Sequence, residues 1–347
     1  MLSAGFQPLS YRLVTELCGE AWHWNPRGAW SDPAHQQGYW ISSDTSPEPI
    51  TASYGYRLPR RGNTIDQSHN DGYSRIDDGD PSTFWKSNPY LGDRPQWVLV
   101  DLGRPRPVDF VNITWAKPFA LQVSIQYWTG EDAINDPIDG AWITASASTG
   151  RLKPAATRYV RILMTRSSHT GEGDDPRNRV GFAIAEISVG FGGVDYVRHA
   201  ASHAQTTIWV SSTDPWHRAS DIDGTMEQPG FDTVFGSGLT RGLPVVMPIA
   251  LLYNTPEDSA AEIRFLRSRG YAFTQIEMGE EPDGQNMAPE DYAELYMRWA
   301  EAIHSVDPTL RLGGPAFQST RDFIAFWRDD RGRTSWIGRF ALSLIHI

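Results

Sequence analysis

The chain has a single cysteine, Cys18, among 347 residues. That excludes an internal disulfide and every multi-cysteine metal motif. Flanked by Leu17 and Gly19 in an apolar-rich stretch, Cys18 reads as a buried, inert thiol. No run of about 18 apolar residues occurs, so no helical membrane span is expected. Met1 to Gln7 lack the charged flank and long apolar stretch of a secretion signal. Nor is there a long basic run: the net charge is −11. A protein that tracks nucleic-acid phosphates would carry the opposite balance.

What the chain does have is aromatic residues. Fourteen Trp, thirteen Tyr and fourteen Phe make 12% of it. Such side chains fill ordinary cores, and their apolar faces also stack on sugar rings. The composition therefore leans toward a carbohydrate partner without deciding it.

Two rhythms divide the sequence. From about Tyr11 to Phe191 short apolar or alternating runs are separated by Gly, Pro, Asp and Asn. Gln96 to Leu102, Val108 to Trp115, Leu121 to Trp128, Tyr159 to Met164 and Ala183 to Val189 are the clearest of them. No long helical period intervenes, which is the pattern of a β-sandwich. After about Val194 strands and helices alternate. Thr207 to Ser211, Pro244 to Leu252, Thr274 to Met278 and Leu310 to Gly314 suit buried parallel strands. Thr255-Pro256-Glu257-Asp258 suits a helix start, with Ala260, Ile263 and Leu266 on its apolar face and Gly270 at its end. Pro289 opens a second helix, and Thr320 to Arg328 suits a third. This alternation predicts a parallel sheet with helices outside it, either open or closed into a barrel. Only four strands are visible, and Leu342 to Ile347 read as foreign to the sequence before them. The chain is therefore expected to be a fragment.

Asp78-Gly79-Asp80-Pro81-Ser82-Thr83-Phe84-Trp85 resembles the discoidin, or coagulation-factor type C, domain family. Pro95 to Gly103, Thr157 to Ile162 and Ala185-Glu186-Ile187 fit the same family in the same order. The resemblance implies an eight-stranded jelly roll that serves as a carbohydrate-binding module beside a glycosidase. It also implies a structural calcium ion, with Asp78, Asp80, Thr83 and Glu186 as ligands. An all-oxygen set of this kind suits calcium, and a solvated, Asp-rich turn is the alternative. Trp85 and Trp97 read as core residues, whereas Tyr90, Trp115 and Trp128, near loop ends, are the candidate sugar platforms.

Gln275 to Asp283 places carboxylates where a strand ends and a loop begins, the end at which barrel active sites lie. It resembles the Gly-Asn-Glu-Pro strand end of the retaining β/α-barrel glycosidases, above all the β-xylosidase and α-iduronidase branch. By that resemblance Glu281, before Pro282, is the general acid/base. Glu280 stands where the family has Asn and becomes a substrate contact. Asp214, Trp216 and His217 follow the run Thr207 to Ser211 and are further expected sugar contacts on the same rim. A solvated acidic helix start is the alternative for Glu280 and Glu281. Gly313-Gly314-Pro315-Ala316 resembles the next strand end of the same clan. The nucleophile of such an enzyme comes from a later strand, so none is assigned.

The expected protein is thus multidomain: an all-β jelly-roll sandwich followed by part of an α/β, TIM-type barrel. Residues 1–49 form a β-rich segment that belongs either to the barrel, as its first strand, or to the sandwich. Residues 50–192 are the discoidin-like domain and 193–347 the first part of the barrel. The expected activity is retaining glycoside hydrolysis of a polysaccharide or oligosaccharide outside the cell or in the periplasm. A non-catalytic carbohydrate-binding protein with a degenerate barrel is the rival.

Overall fold

The computed structural model describes residues 11–12, 75–130, 140–199, 206–214, 245–249, 251–252, 255–279, 287–317 and 325–345, with isolated positions in 235–243 and 282–283. It divides into two compact units. One comprises Tyr56–Asp214, Pro282–Glu294 and Gln318–Ile347; the other comprises Met1–Gly55, Pro215–Glu281 and Leu295–Phe317.

The strands in chain order are β1 (Tyr11–Arg12), β2 (Trp85–Lys86), β3 (Gln96–Trp115), β4 (Ala120–Trp128), β5 (Trp142–Ser146), β6 (Gly150–Ser167), β7 (Ala183–Phe191), β8 (Val194–Asp195) and β9 (Thr207–Val210). All but β1 join one antiparallel network, ordered β2-β7-β3-β6-β4-β5, with β8 on β7 and β9 on β3. Strand β3 is the spine. Its first half pairs with β6 and β9, and its second half pairs with β6 and β7. The two runs expected as separate strands, Gln96 to Leu102 and Val108 to Trp115, are one strand whose register shifts between Asp101 and Arg106. Pro105 and Pro107 lie at that irregularity or beside it, where a missing donor does least harm to the ladder.

Alternation sends one set of strand residues inward. Val98, Val100, Val108 and Val111 of β3 meet Val160, Ile162 and Met164 of β6 and Ile184, Ile187 and Val189 of β7 in a single apolar core. Trp85 is fully buried in it, and its indole Nε1 donates to the Ser212 carbonyl at 2.9 Å. Trp97 is also buried.

Strand β9 corrects the sequence reading. Thr207 to Ser211 was expected as the first parallel strand after the sandwich; instead β9 runs antiparallel to β3, with Val98 opposite Val210. Ile208 and Val210 enter the sandwich core. Gln96 secures the join, its Oε1 accepting from both Ser211 and Ser212 hydroxyls at 2.8 and 2.5 Å. An apolar four-residue run fits either kind of sheet, and the unpaired edge of β3 decides its partner.

The other unit holds a four-stranded parallel sheet, in the order β1, β10 (Val245–Ile249), β11 (Gln275–Met278) and β12 (Arg311–Gly313). Strand β1 sits beside β10, Tyr11 opposite Val245, so the whole sandwich sequence intervenes between two neighbouring strands of this sheet. Among the described residues the sheet is open, not a closed barrel. Helix α1 (Pro256–Ser268) begins with proline in its first turn, where no N–H is needed. It buries Ala260, Ile263 and Leu266. It ends at Gly270, whose φ of 75° permits the Tyr271 N–H to reach the Leu266 carbonyl at 3.2 Å. Helix α2 (Pro289–Val306) buries Tyr292, Leu295, Trp299 and Ile303 at helical spacing.

The last segment differs from expectation. Residues 318–324 lie outside the described residues, and Phe326 to Arg328, expected in a helix, are not helical. Ala325 bridges to Ser335, and the Phe326 N–H meets the Thr334 carbonyl at 2.8 Å. Asp329 knots the turn: its carboxylate accepts from the backbone of Arg331 and Arg333 and from the Arg333 side chain. Helix α3 (Trp336–Ile345) follows. Its Arg339 grips Glu290 at 2.7 and 2.8 Å and the Trp327 carbonyl at 2.6 Å.

Candidate functional site

The sandwich carries a cavity of about 540 Å³ whose aromatic lining is Phe84, Trp115 and Phe119. Each of these side chains follows from strand geometry. Trp85 points into the core, so its neighbour Phe84 turns outward. Trp115 closes β3 and Phe119 immediately precedes β4. All three are half-buried, leaving faces that a ligand can cover. The polar rim consists of Lys86, Lys117, Glu172 and Asn178. Lys86 Nζ is held by the carbonyls of Arg177 and Val180 at 3.3 and 2.8 Å. Asn178 Nδ2 donates to the Glu172 carbonyl at 3.0 Å. Lys117 and Glu172 form an exposed pair at 3.5 Å, a loose contact that a ligand can displace at little cost.

Of the three expected platforms, only Trp115 lines this cavity. The Tyr90 hydroxyl accepts from Arg177 at 2.9 Å, bracing the 172–179 loop. Trp128 is buried against Trp142, their centroids 5.1 Å apart. Phe84 and Phe119 were missed by sequence reasoning. The signal for Phe84 was present in the inward commitment of its neighbour Trp85.

The four expected calcium ligands come together only in part. Asp78 accepts from the Asp80 N–H at 2.9 Å and the Thr83 hydroxyl at 2.6 Å. Glu186 lies near Asp78: burial first, and then the Asp78 carboxylate, push the Glu186 pKa up against the opposing influence of His199. Glu186 Oε1 is buried and receives no hydrogen bond from the described residues. Its Oε2 meets His199 Nδ1 at 2.9 Å, and His199 Nε2 meets Asp195 at 3.0 Å. The Asp80 carboxylate instead serves Ser82, accepting its N–H and hydroxyl at 2.9 and 2.6 Å. Two close carboxylates with an orphaned buried oxygen fit a hard cation. Asp78, Glu186 and Thr83 are the residues that would hold a calcium ion, with Asp80 turned aside. Among the described residues no cluster of three His, Cys, Asp or Glu has metal-binding geometry.

The expected catalytic positions are largely outside view. Glu280, Glu281, Trp216 and His217 lie outside the described residues. Asp214 is described, buried within the sandwich unit, where its N–H donates to the Lys86 carbonyl at 2.8 Å. Because β9 belongs to the sandwich, Asp214 does not follow a parallel strand, and the expected position on the sheet rim is corrected. Strand β11 ends at Met278, and Gly279 follows with φ 70°. One face of the parallel sheet borders a cavity of about 390 Å³, lined by Gln275, Glu277 and Arg311 among others.

Residues 50–174 match the F5/8 type C domain family. The antiparallel sandwich is the fold expected of that domain, and it occupies the described part of that stretch. No curated protein matches the chain. Among solved structures, it is similar to chitosan-binding module 1 of a chitosanase/glucanase from Paenibacillus sp. IK-5, at 22% identity over 39% of this chain and 96% of that one, with a TM-score of 0.26. Module 2 of the same enzyme, solved with chitotriose, is 19% identical over 38% and 97% of the two chains, TM-score 0.26. A Ruminococcus gnavus fucosidase is 18% identical over 33% of this chain and 21% of its own length, TM-score 0.24.

Proposed function

We propose that the sandwich is a carbohydrate-binding module and that the cavity of Phe84, Trp115 and Phe119 is its sugar site. The observation that carries this reading is three half-buried aromatic side chains around one open cavity of about 540 Å³ with amide and charged groups at its rim. Sugars present apolar C–H faces to aromatic rings and hydroxyls to polar groups, so the lining matches their two-sided chemistry. The F5/8 type C match supports the same reading.

The carbohydrate reading extends to the rest of the chain. The proposed protein is part of a retaining glycoside hydrolase that works outside the cell or in the periplasm. Glu281 is its general acid/base, Glu280 contacts the substrate, and Asp78, Glu186 and Thr83 hold a structural calcium ion. Support comes from the glycosidase-like sequence Gly279-Glu280-Glu281-Pro282 directly after parallel strand β11.

Titration of the chain with neutral oligosaccharides tests the module. Trp115→Ala is expected to weaken binding about tenfold, the loss of one aromatic stacking partner, with cooperative unfolding retained although the melting temperature falls, because Trp115 also packs against the core. Equal affinity in the variant would remove the cavity from the reading. For the enzyme, Glu281→Ala in a hydrolytically active form should spare activated aryl glycosides more than natural ones, with azide restoring part of the rate. Absence of any turnover in the active-length wild type would leave the non-catalytic, sugar-binding reading in its place.

A further inference from the structure

The face of β6 opposite the core holds an arginine with no acidic partner among the described residues. Arg161 stands opposite Leu99 on β3 and Gln126 on β4, while its neighbours Val160 and Ile162 point into the core. Its Nε donates to Gln126 Oε1 at 2.7 Å. Its guanidinium lies 4.2 Å from the centroid of Trp142 and 5.6 Å from that of Trp327. These rings belong to a run of four indoles, Trp128, Trp142, Trp327 and Trp97, with successive centroids 5.1 Å apart. Burial pulls the Arg161 pKa down to about 9, and no carboxylate opposes it.

Arg161 lines a cavity of about 830 Å³ together with Trp97, Leu163, Phe326 and Trp327. Counting Arg161, six arginines and four carboxylates line it, a local surplus of two positive charges in a chain of net charge −11. Three of those arginines are answered: Arg94 by Asp291 at 2.7 Å, Arg333 by Asp329 at 2.6 Å and Arg339 by Glu290 at 2.7 Å. Arg161 is not. With indoles on its faces and Nε occupied, what remains is the in-plane edge of Nη1 and Nη2, to which no described residue offers an acceptor. A half-buried cation without a carboxylate partner among the described residues loses part of its hydration without recompense, and a planar N–H fork is matched by a carboxylate, which it binds through two parallel hydrogen bonds.

We propose that this cavity binds an acidic sugar residue, its carboxylate on the Nη edge of Arg161 and its ring against the Trp97 and Trp327 wall. The sugar class rests on the carbohydrate reading above; the requirement for a carboxylate rests on Arg161 alone. This site is separate from the cavity at Trp115, and its lining residues belong to the sandwich unit.

The test is calorimetric titration of the whole chain with trigalacturonate, its methyl ester and free acetate. Trigalacturonate should bind at least tenfold more tightly than the ester, and acetate should bind weakly. Arg161→Gln should abolish that preference, and Arg161→Lys should lose most of it, because an ammonium keeps the charge without the fork. Trp115→Ala should leave the preference intact. Equal binding of acid and ester by the wild type would overturn the proposal without recourse to any variant. Acetate competing as well as the trisaccharide would overturn its sugar part. A preference for a sulfated trisaccharide over trigalacturonate would overturn the carboxylate assignment. Loss of neutral-sugar binding with retention of acid binding would sink the Trp115 site and leave this one standing.

Discussion

Arg158 holds Asp101 through two parallel hydrogen bonds, Nε to Oδ1 at 2.8 Å and Nη2 to Oδ2 at 2.9 Å. Asp101 lies opposite Tyr159, the neighbour of Arg158, where β3 and β6 pair, just before their register shifts. The same carboxylate accepts the Gly103 N–H at 2.7 Å, and Gly103 turns with φ 74°. One side chain thus closes the turn and pins the register of the two central strands.

The expected consequence is a stability loss in Asp101→Ala. Hydrogen bonds to charged groups contribute about 1.5–3 kcal/mol when partly buried, and Asp101 is only 11% exposed in its side chain. Urea unfolding of the variant should show a loss of about 2 kcal/mol with the slope of the transition unchanged. A loss under about 0.5 kcal/mol, the size of an ordinary surface substitution, would show that the pair contributes nothing beyond its exposed location.

How far the sequence revealed this structure depends on what each signal can distinguish. Trp85 and Trp97 were legible as core residues, and both are buried. The antiparallel runs of β4 and β7 were placed within a few residues, whereas only the second half of β6, Tyr159 to Met164, was seen. Strand β9 was misread because Thr207 to Val210 is apolar on both sides of its alternation, and such a run suits a sandwich edge as well as a parallel sheet. The Phe326–Thr334 hairpin was misread because its turn depends on the Asp329 side chain capturing later backbone groups, a local competition that helical spacing cannot reveal. At the cavity, Trp115 was visible as an aromatic near a strand end. Its companions Phe84 and Phe119 come from distant segments and converge only through pairing. Arg161 was seen as part of a family motif, but its missing counter-ion is a property of the three-dimensional surroundings.

Tyr127 offers a test of pH dependence. It is 6% exposed, and its hydroxyl has no hydrogen-bond partner among the described residues. Burial, with a smaller contribution from Asp109, pushes its pKa up to about 12 from 10.0. The folded state therefore resists ionisation that the unfolded state accepts. Below pH 10 both states are protonated and stability is unaffected; between about pH 10 and 12 the unfolded chain ionises first and stability falls. A gap of this size corresponds to about 2–3 kcal/mol at the upper end. Tyr127→Phe should be neutral or slightly stabilising at pH 7 and should flatten this alkaline loss. An unchanged alkaline limb in the variant would show that another group causes it.

The calcium proposal makes the most direct prediction about the sandwich. A cation bound only by the folded state raises its stability by mass action, about 2.7 kcal/mol at a hundredfold excess over Kd. Calcium should therefore raise the melting temperature, and a chelator should lower it. The geometry ranks the variants. Asp78→Ala and Glu186→Gln should abolish the shift, because these carboxylates lie close together and Glu186 Oε1 is buried without a partner among the described residues. Thr83→Val should reduce it, since the Thr83 hydroxyl touches Asp78 directly at 2.6 Å. Asp80→Ala should have the smallest effect of the four, because the Asp80 side chain is exposed and engaged with Ser82. The His199 ring, which bridges Glu186 and Asp195, supplies a control. His199→Gln removes the positive partner of Glu186, so Glu186 and Asp78 repel more strongly in chelator and gain more from the ion. Its melting shift on calcium addition should exceed that of the wild type. A wild-type melting curve indifferent to calcium and chelator alike would eliminate the ion and leave His199 as the group that answers the Glu186 carboxylate.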